Sequence, residues 1–112
     1  MEKTSKIYVA GHRGLVGSAI WKNLTEKGYT NLVGRTHNQL DLMDASAVKR
    51  FFNEERPEYV VLTAAFVGGI MANSIYRADF IYRNLQIQQN VIGESFRHGV
   101  KKLLFLGSTA ST

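Results

Sequence analysis

Four short apolar runs divide the chain: Ile7–Ala10, Leu32–Val33, Tyr59–Leu62 and Leu103–Leu106. Each is too short for a helix, and the first, third and fourth are continuously apolar. Strands of that kind are covered on both faces, as in a parallel sheet with helices packed above and below. Between the runs, apolar residues recur at helical spacing. From about Leu15 to Lys27, Ile20 and Leu24 stand four apart, and Gly28 supplies a stop. A second helix opens near Asp44 or Ser46, carries Val48, Phe51 and Phe52 on one side, and stops before Pro57. A third runs from about Tyr76 to Arg97, with Ile81, Leu85, Gln88 and Ile92 tracing one stripe and Gly99 closing it. Strand and helix therefore alternate from end to end. Right-handed crossovers between parallel strands put helices on both faces of the sheet. The expected fold is α/β, a doubly wound parallel sheet of four strands, either a single unit or the first half of a larger one.

Composition narrows the setting. The chain has 112 residues, 45% of them hydrophobic, with one proline and no cysteine. That suffices for one small domain and excludes a disulfide framework or a thiolate metal site. No apolar run approaches the ~18 residues that span a bilayer, and "MEKTSK" leads straight into the first strand without a signal-peptide core. A soluble, cytoplasmic protein without a membrane partner is expected. The net charge of +5 is spread over single residues and pairs such as Lys49-Arg50 and Lys101-Lys102. Without a basic block or interleaved aromatics, nucleic acid is not the expected partner, and a surface attractive to small anions is. His12, His37 and His98 fall in a loop, a turn and a helix end, with no metal-ligand spacing among them.

The candidate chemistry begins directly behind the first strand. Gly11, Gly14 and Gly17 are spaced by three in "KIYVAGHRGLVGSAI", at a strand-to-helix junction. A glycine there permits a tight turn, a second lets the backbone approach a diphosphate, and a third lets helix and strand pack closely. The free N–H groups of the first helical turn then face the anion. This is the fingerprint of a Rossmann-type dinucleotide-binding unit, although a ligand-free tight turn would use the same residues. NAD-binding units usually place an acid at the end of the second strand to hold the ribose 2′-OH. Here that point reads "LVGRTHNQ", with Gly34 and Arg35, and Arg13 lies in the glycine loop. Two guanidiniums in place of a carboxylate suit a 2′-phosphate, so NADP(H) is the expected cofactor.

The segments "VAGHRGLVGSAI", "LDLMDASAVKRFF", "AAFVGGIMAN", "ADFIYRNLQIQQNVI" and "VKKLLFLGSTA" resemble the N-terminal part of the GDP-L-fucose synthases, within the extended short-chain dehydrogenases/reductases. The resemblance runs from Lys6 to about Thr109. It implies an NADPH-dependent 3,5-epimerase and 4-reductase acting on GDP-4-keto-6-deoxy-D-mannose, and a homodimer through long helices. By position it implies a pyrophosphate loop of Gly11, His12, Arg13, Gly14, Leu15, Val16 and Gly17. Arg13 would meet the 2′-phosphate and Arg35 would lie near the adenosine end. Asp41 and Leu42 would either flank the adenine or form a turn that opens the second helix. Ala64 and Ala65 would pass beneath the cofactor ribose, or simply pack at the strand end. Val67–Asn73 would face the nicotinamide and the sugar, or form a surface turn. Ser108 would be catalytic, hydrogen-bonding the substrate keto oxygen, or simply part of a polar Ser-Thr tail.

Two departures qualify this resemblance. The family continues "G-S-S-C-I-Y-P", whereas this chain reads "GSTAST", so Ala110 stands at the cysteine assigned to proton transfer in epimerisation. None of Tyr8, Tyr29, Tyr59, Tyr76 and Tyr82 has a lysine four residues later, so these residues hold no substitute for the reductase Tyr-x-x-x-Lys pair, which the resemblance places beyond residue 112. Residues 1–112 are accordingly expected to be a cofactor-binding domain without its substrate domain, inactive by itself. The alternatives are a free-standing dinucleotide-binding module, or part of another sugar-nucleotide epimerase or dehydratase.

Overall fold

A computed structural model of the chain describes residues 2–63 and 78–105. Its elements are β1 (Ile7–Ala10), α1 (Leu15–Glu26), β2 (Leu32–Val33), α2 (Ala45–Glu55), β3 (Tyr59–Leu62), α3 (Ala78–Arg97) and β4 (Lys102–Phe105). The four strands form one parallel sheet in the order β2-β1-β3-β4. Ile7 is level with both Leu32 and Tyr59, and Tyr59 with Lys102. The doubly wound parallel sheet is thus present. β4 begins one residue earlier than the apolar run suggested, because the register with β3 takes in Lys102; Leu106 lies outside the described residues, as does Tyr76.

Alternation within β1 divides the core. Ile7 and Val9, with Val61, face α1 and pack against Ile20, Trp21 and Leu24. Tyr8 and Ala10, with Val60 and Leu62, face Val48, Phe51 and Phe52 of α2 and Val91 of α3. Tyr8 is fully buried with its ring 4.5 Å from that of Phe51, and burial pushes its phenol well above the ordinary value. Helix α2 is stopped by Arg56, whose backbone turns left-handed (φ +47°) ahead of Pro57.

The inward stripe of α3 differs from the expected one. Leu85 and Ile92 point outwards, and the buried positions among the described side chains are Asn90, Val91, Glu94 and Ser95, with Ile87 packed beside them; the Ile81 side chain lies outside the described residues. Three of these are polar, and they tolerate burial because they have internal partners. Asn90 Nδ2 donates to the Leu42 carbonyl at 2.8 Å and Ser95 Oγ to the Val91 carbonyl at 2.8 Å, while Glu94 pairs with Arg97 through Oε2 and leaves Oε1 without a hydrogen bond, 3.4 Å from His98 Nδ1.

Candidate functional site

In the order β2-β1-β3-β4, the chain crosses from β1 to one side and later returns to the other. The carboxyl ends of β1 and β3 therefore bound the crevice in which open α/β sheets hold ligands. Gly11 stands at the end of β1 with φ +83°, a backbone angle that favours glycine. The turn is closed by the Gly14 N–H, which donates to the Gly11 carbonyl at 3.0 Å. Thr63, directly after β3, locks the other side: its hydroxyl donates to the Ala10 carbonyl at 2.7 Å and its N–H to the same oxygen at 3.1 Å. The sequence reading missed Thr63; the available signal was a hydroxyl closing an otherwise apolar run.

The two later glycines differ in what demands them. A Cβ at Gly17 would lie 1.9 Å from the Gly11 carbonyl oxygen, so α1 meets the loop at a distance that only hydrogen allows. A Cβ at Gly14 would meet nothing nearer than that oxygen at 3.4 Å, and Gly14 has an unstrained φ of −75° on an exposed surface. Nothing within the described residues requires a glycine there. Gly14 is also the N-cap of α1, without a side-chain cap and with no acid in the first turn. Helix α2 is built differently, since the Asp44 carboxylate accepts from the N–H groups of Ser46 and Ala47. The bare end of α1 leaves its first-turn donors and the positive end of its dipole open to an external anion, and a diphosphate fits that cradle. Leu15 and Val16 project their side chains outwards beside it, Leu15 being 89% exposed.

His12 turns inward from the loop. Its ring lies against Gly34, where a Cβ would be 2.7 Å from Cγ and Nδ1, and 5.3 Å from the Trp21 ring. Nδ1 is buried and unpartnered. Burial, reinforced by the nearby Arg13 and Arg35 charges, holds the imidazole below its usual range, so it is neutral near pH 7. Arg13 is exposed. Arg35 is not free: Nη2 donates to Glu55 at 2.7 Å, Nη1 donates to the Gly34 carbonyl at 2.9 Å, and the guanidinium lies over Phe51. Asp41 accepts from the Met43 N–H at 2.9 Å in the turn before α2, and the Leu42 side chain is buried in the core. His37 is exposed in a turn, and His98 Nε2 contacts Asn53 at 2.7 Å. Ala64, Ala65, Val67–Asn73, Ser108 and Ala110 lie outside the described residues. Among the described residues no cluster of three or more His, Asp or Glu could hold a metal ion, and no helix is long and apolar enough to cross a membrane.

Residues 7–111 match the pattern described as the NAD dependent epimerase/dehydratase family. The chain belongs to this family. It is 62% identical over 108 residues to GDP-L-fucose synthase 1 of Arabidopsis thaliana, covering 96% of this chain and 33% of that protein. It is 51% identical over 104 residues to the GDP-L-fucose synthase of Escherichia coli strain K12, covering 93% and 32%. Among solved structures, MlghC, a GDP-mannoheptose C4 reductase from Campylobacter jejuni with NADP bound, superposes with a TM-score of 0.84 at 53% identity, covering 94% of this chain and 33% of that one. This member of the epimerase/dehydratase family spans about a third of the length of the curated relatives it matches. The shared region is the sheet and glycine loop described above.

Proposed function

We propose that these residues form the NADP(H)-binding portion of a GDP-sugar 4-keto reductase of the GDP-L-fucose synthase type. The observation that carries the cofactor reading is Gly14, a glycine with room for a side chain at the uncapped end of a helix. The relatives' names, and the NADP bound to the Campylobacter protein, support the choice of cofactor and substrate class. Gly11 to Gly17 hold the diphosphate, with the N–H groups of Leu15, Val16 and Gly17 directed at it, and Arg13 meets the 2′-phosphate. When held there, a dihydronicotinamide would supply hydride to a keto carbon. Ser108 donates its O–H to the keto oxygen and continues to stabilise the alkoxide as charge develops. The alkoxide also needs a proton, and no tyrosine in the 112 residues has a lysine four positions on. Residues 1–112 therefore act as a cofactor-binding domain that binds without turnover.

A second reading concerns the epimerase half of the reaction. Ala110 has no exchangeable proton, and a relative at 53% identity is named as a C4 reductase. Epimerisation is accordingly expected to fail in these residues on a ground independent of the missing reductase proton.

The test is titration of the chain with NADPH and NADH, followed by calorimetry and by the melting temperature. NADPH is expected to bind more tightly. Arg13→Ala, which removes one charge-assisted contact, should weaken NADPH by ~1.5–3 kcal/mol and leave NADH unchanged. Equal affinity for both cofactors in the unmodified chain would refute NADP(H) specificity. Binding that survives in a folded Gly14→Val variant would refute the loop assignment.

A further inference from the structure

Arg35 begins at the ligand edge of the sheet and is drawn away from it. Helix α2 runs antiparallel to the strands, so its last residue, Glu55, lies at the amino-terminal edge, opposite the glycine loop. One Glu55 oxygen accepts from Arg35 Nη2 at 2.7 Å, and the other accepts from Lys6 Nζ at 3.2 Å, just before β1. The guanidinium carbon is 5.2 Å from the Phe51 ring centroid. The Arg35 and Glu55 side chains are 31% and 25% exposed. A partly exposed ion pair of this kind contributes little and can exchange partners, the Gly34 carbonyl and the Phe51 ring being released with it. A phosphate offers a guanidinium more acceptor oxygens and more charge than a carboxylate. Lys6 would remain on Glu55 after Arg35 left, so the exchange would strand no carboxylate.

We infer that Glu55 is a specificity-determining positioning residue, which competes with the cofactor 2′-phosphate for Arg35 and so limits the preference for NADPH over NADH. The inference rests on the NADP(H) reading above. Glu55 touches no ligand itself and acts through Arg35. Its replacement should change one affinity and not the other, which a purely structural role would not do.

The experiment measures dissociation constants for NADPH and NADH in the full chain and in Glu55→Gln, Glu55→Asp, Arg35→Ala and the Arg35→Ala/Glu55→Gln double variant. Glu55→Gln should bind NADPH about two- to fivefold more tightly, the range that exchange of one partly exposed ion pair allows, with NADH unchanged. The gain should vanish in the double variant. Glu55→Asp, whose shorter side chain withdraws the carboxylate from both Arg35 and Lys6 while keeping its charge on α2, should shift affinity in the same direction and serves if Glu55→Gln fails to fold. An unchanged or reduced NADPH:NADH ratio in the folded Glu55 variants overturns the inference, even where the parent chain prefers NADPH. A parent chain that binds neither cofactor overturns the NADP(H) reading, and the inference falls with it.

Discussion

A methyl group added at Gly17 would overlap a backbone carbonyl, whereas one added at Gly14 would rest at ordinary contact distance. Gly17→Ala must push α1 off the loop, with an expected loss of about 3 kcal/mol or more in denaturant unfolding. Gly14→Val should retain the native circular dichroism spectrum and lose NADPH binding, since the added branch occupies the diphosphate's space. His12 makes a pH-dependent contribution of defined sign. Its folded-state value lies below the unfolded one, through burial first and the two arginines second. The unfolded chain then binds the extra proton, and stability falls as pH drops below about 6.5, the ordinary histidine value. Melting temperatures of the parent and of His12→Gln, compared between pH 7 and pH 5, should converge towards the acid end. A parallel decline in both would remove His12 from the account.

Helices α1 and α2 start in opposite ways, and the difference can be measured. Asp44→Ala removes the acceptor for two N–H groups of α2 and should cost about 1 kcal/mol. Gly14→Asp would give α1 the cap that it lacks, adding at most a few tenths of a kcal/mol because glycine is already tolerated at that position, while its carboxylate repels the diphosphate. A folded Gly14→Asp protein with unimpaired NADPH binding would contradict the anion site. At this scale the sequence was informative where local chemistry decides the structure. The apolar runs gave the strands, and the loop glycines gave the junction of β1 and α1. It was misleading for α3, where hydrophobicity favoured Leu85 and Ile92 as the inner face although Asn90, Glu94 and Ser95 occupy it. Their burial depends on partners such as the Leu42 carbonyl, 48 residues away, and no periodicity encodes such a partner. Arg35 shows the same gap: its place in the sequence was legible, whereas its engagement by Glu55, 20 residues on, was not.

Across the whole molecule, the outward side of α3 leaves Tyr82, Leu85, Ile92 and Phe96 exposed, Phe96 at 86%. These residues recur at helical spacing on a face left exposed among the described residues, the face that a homodimer of the kind the resemblance implies would cover. With such a dimer, Phe96→Glu should shift the sedimentation coefficient from that of a dimer to that of a monomer; a parent chain that sediments as a monomer would refute the expectation. The central position of β1 also has a kinetic consequence. β1, synthesised before β2 and β3, acquires its second neighbour only with β3, and the Thr63 clasp on Ala10 spans 53 residues. Closing so long a loop is slow, and the crevice between the two strands does not exist beforehand. A ligand held there has nothing to grip in an early collapsed chain and recognises only the finished sheet. NADPH should therefore slow unfolding while leaving the refolding rate unchanged, so that the cofactor acts as a brake on opening and has no part in guiding assembly.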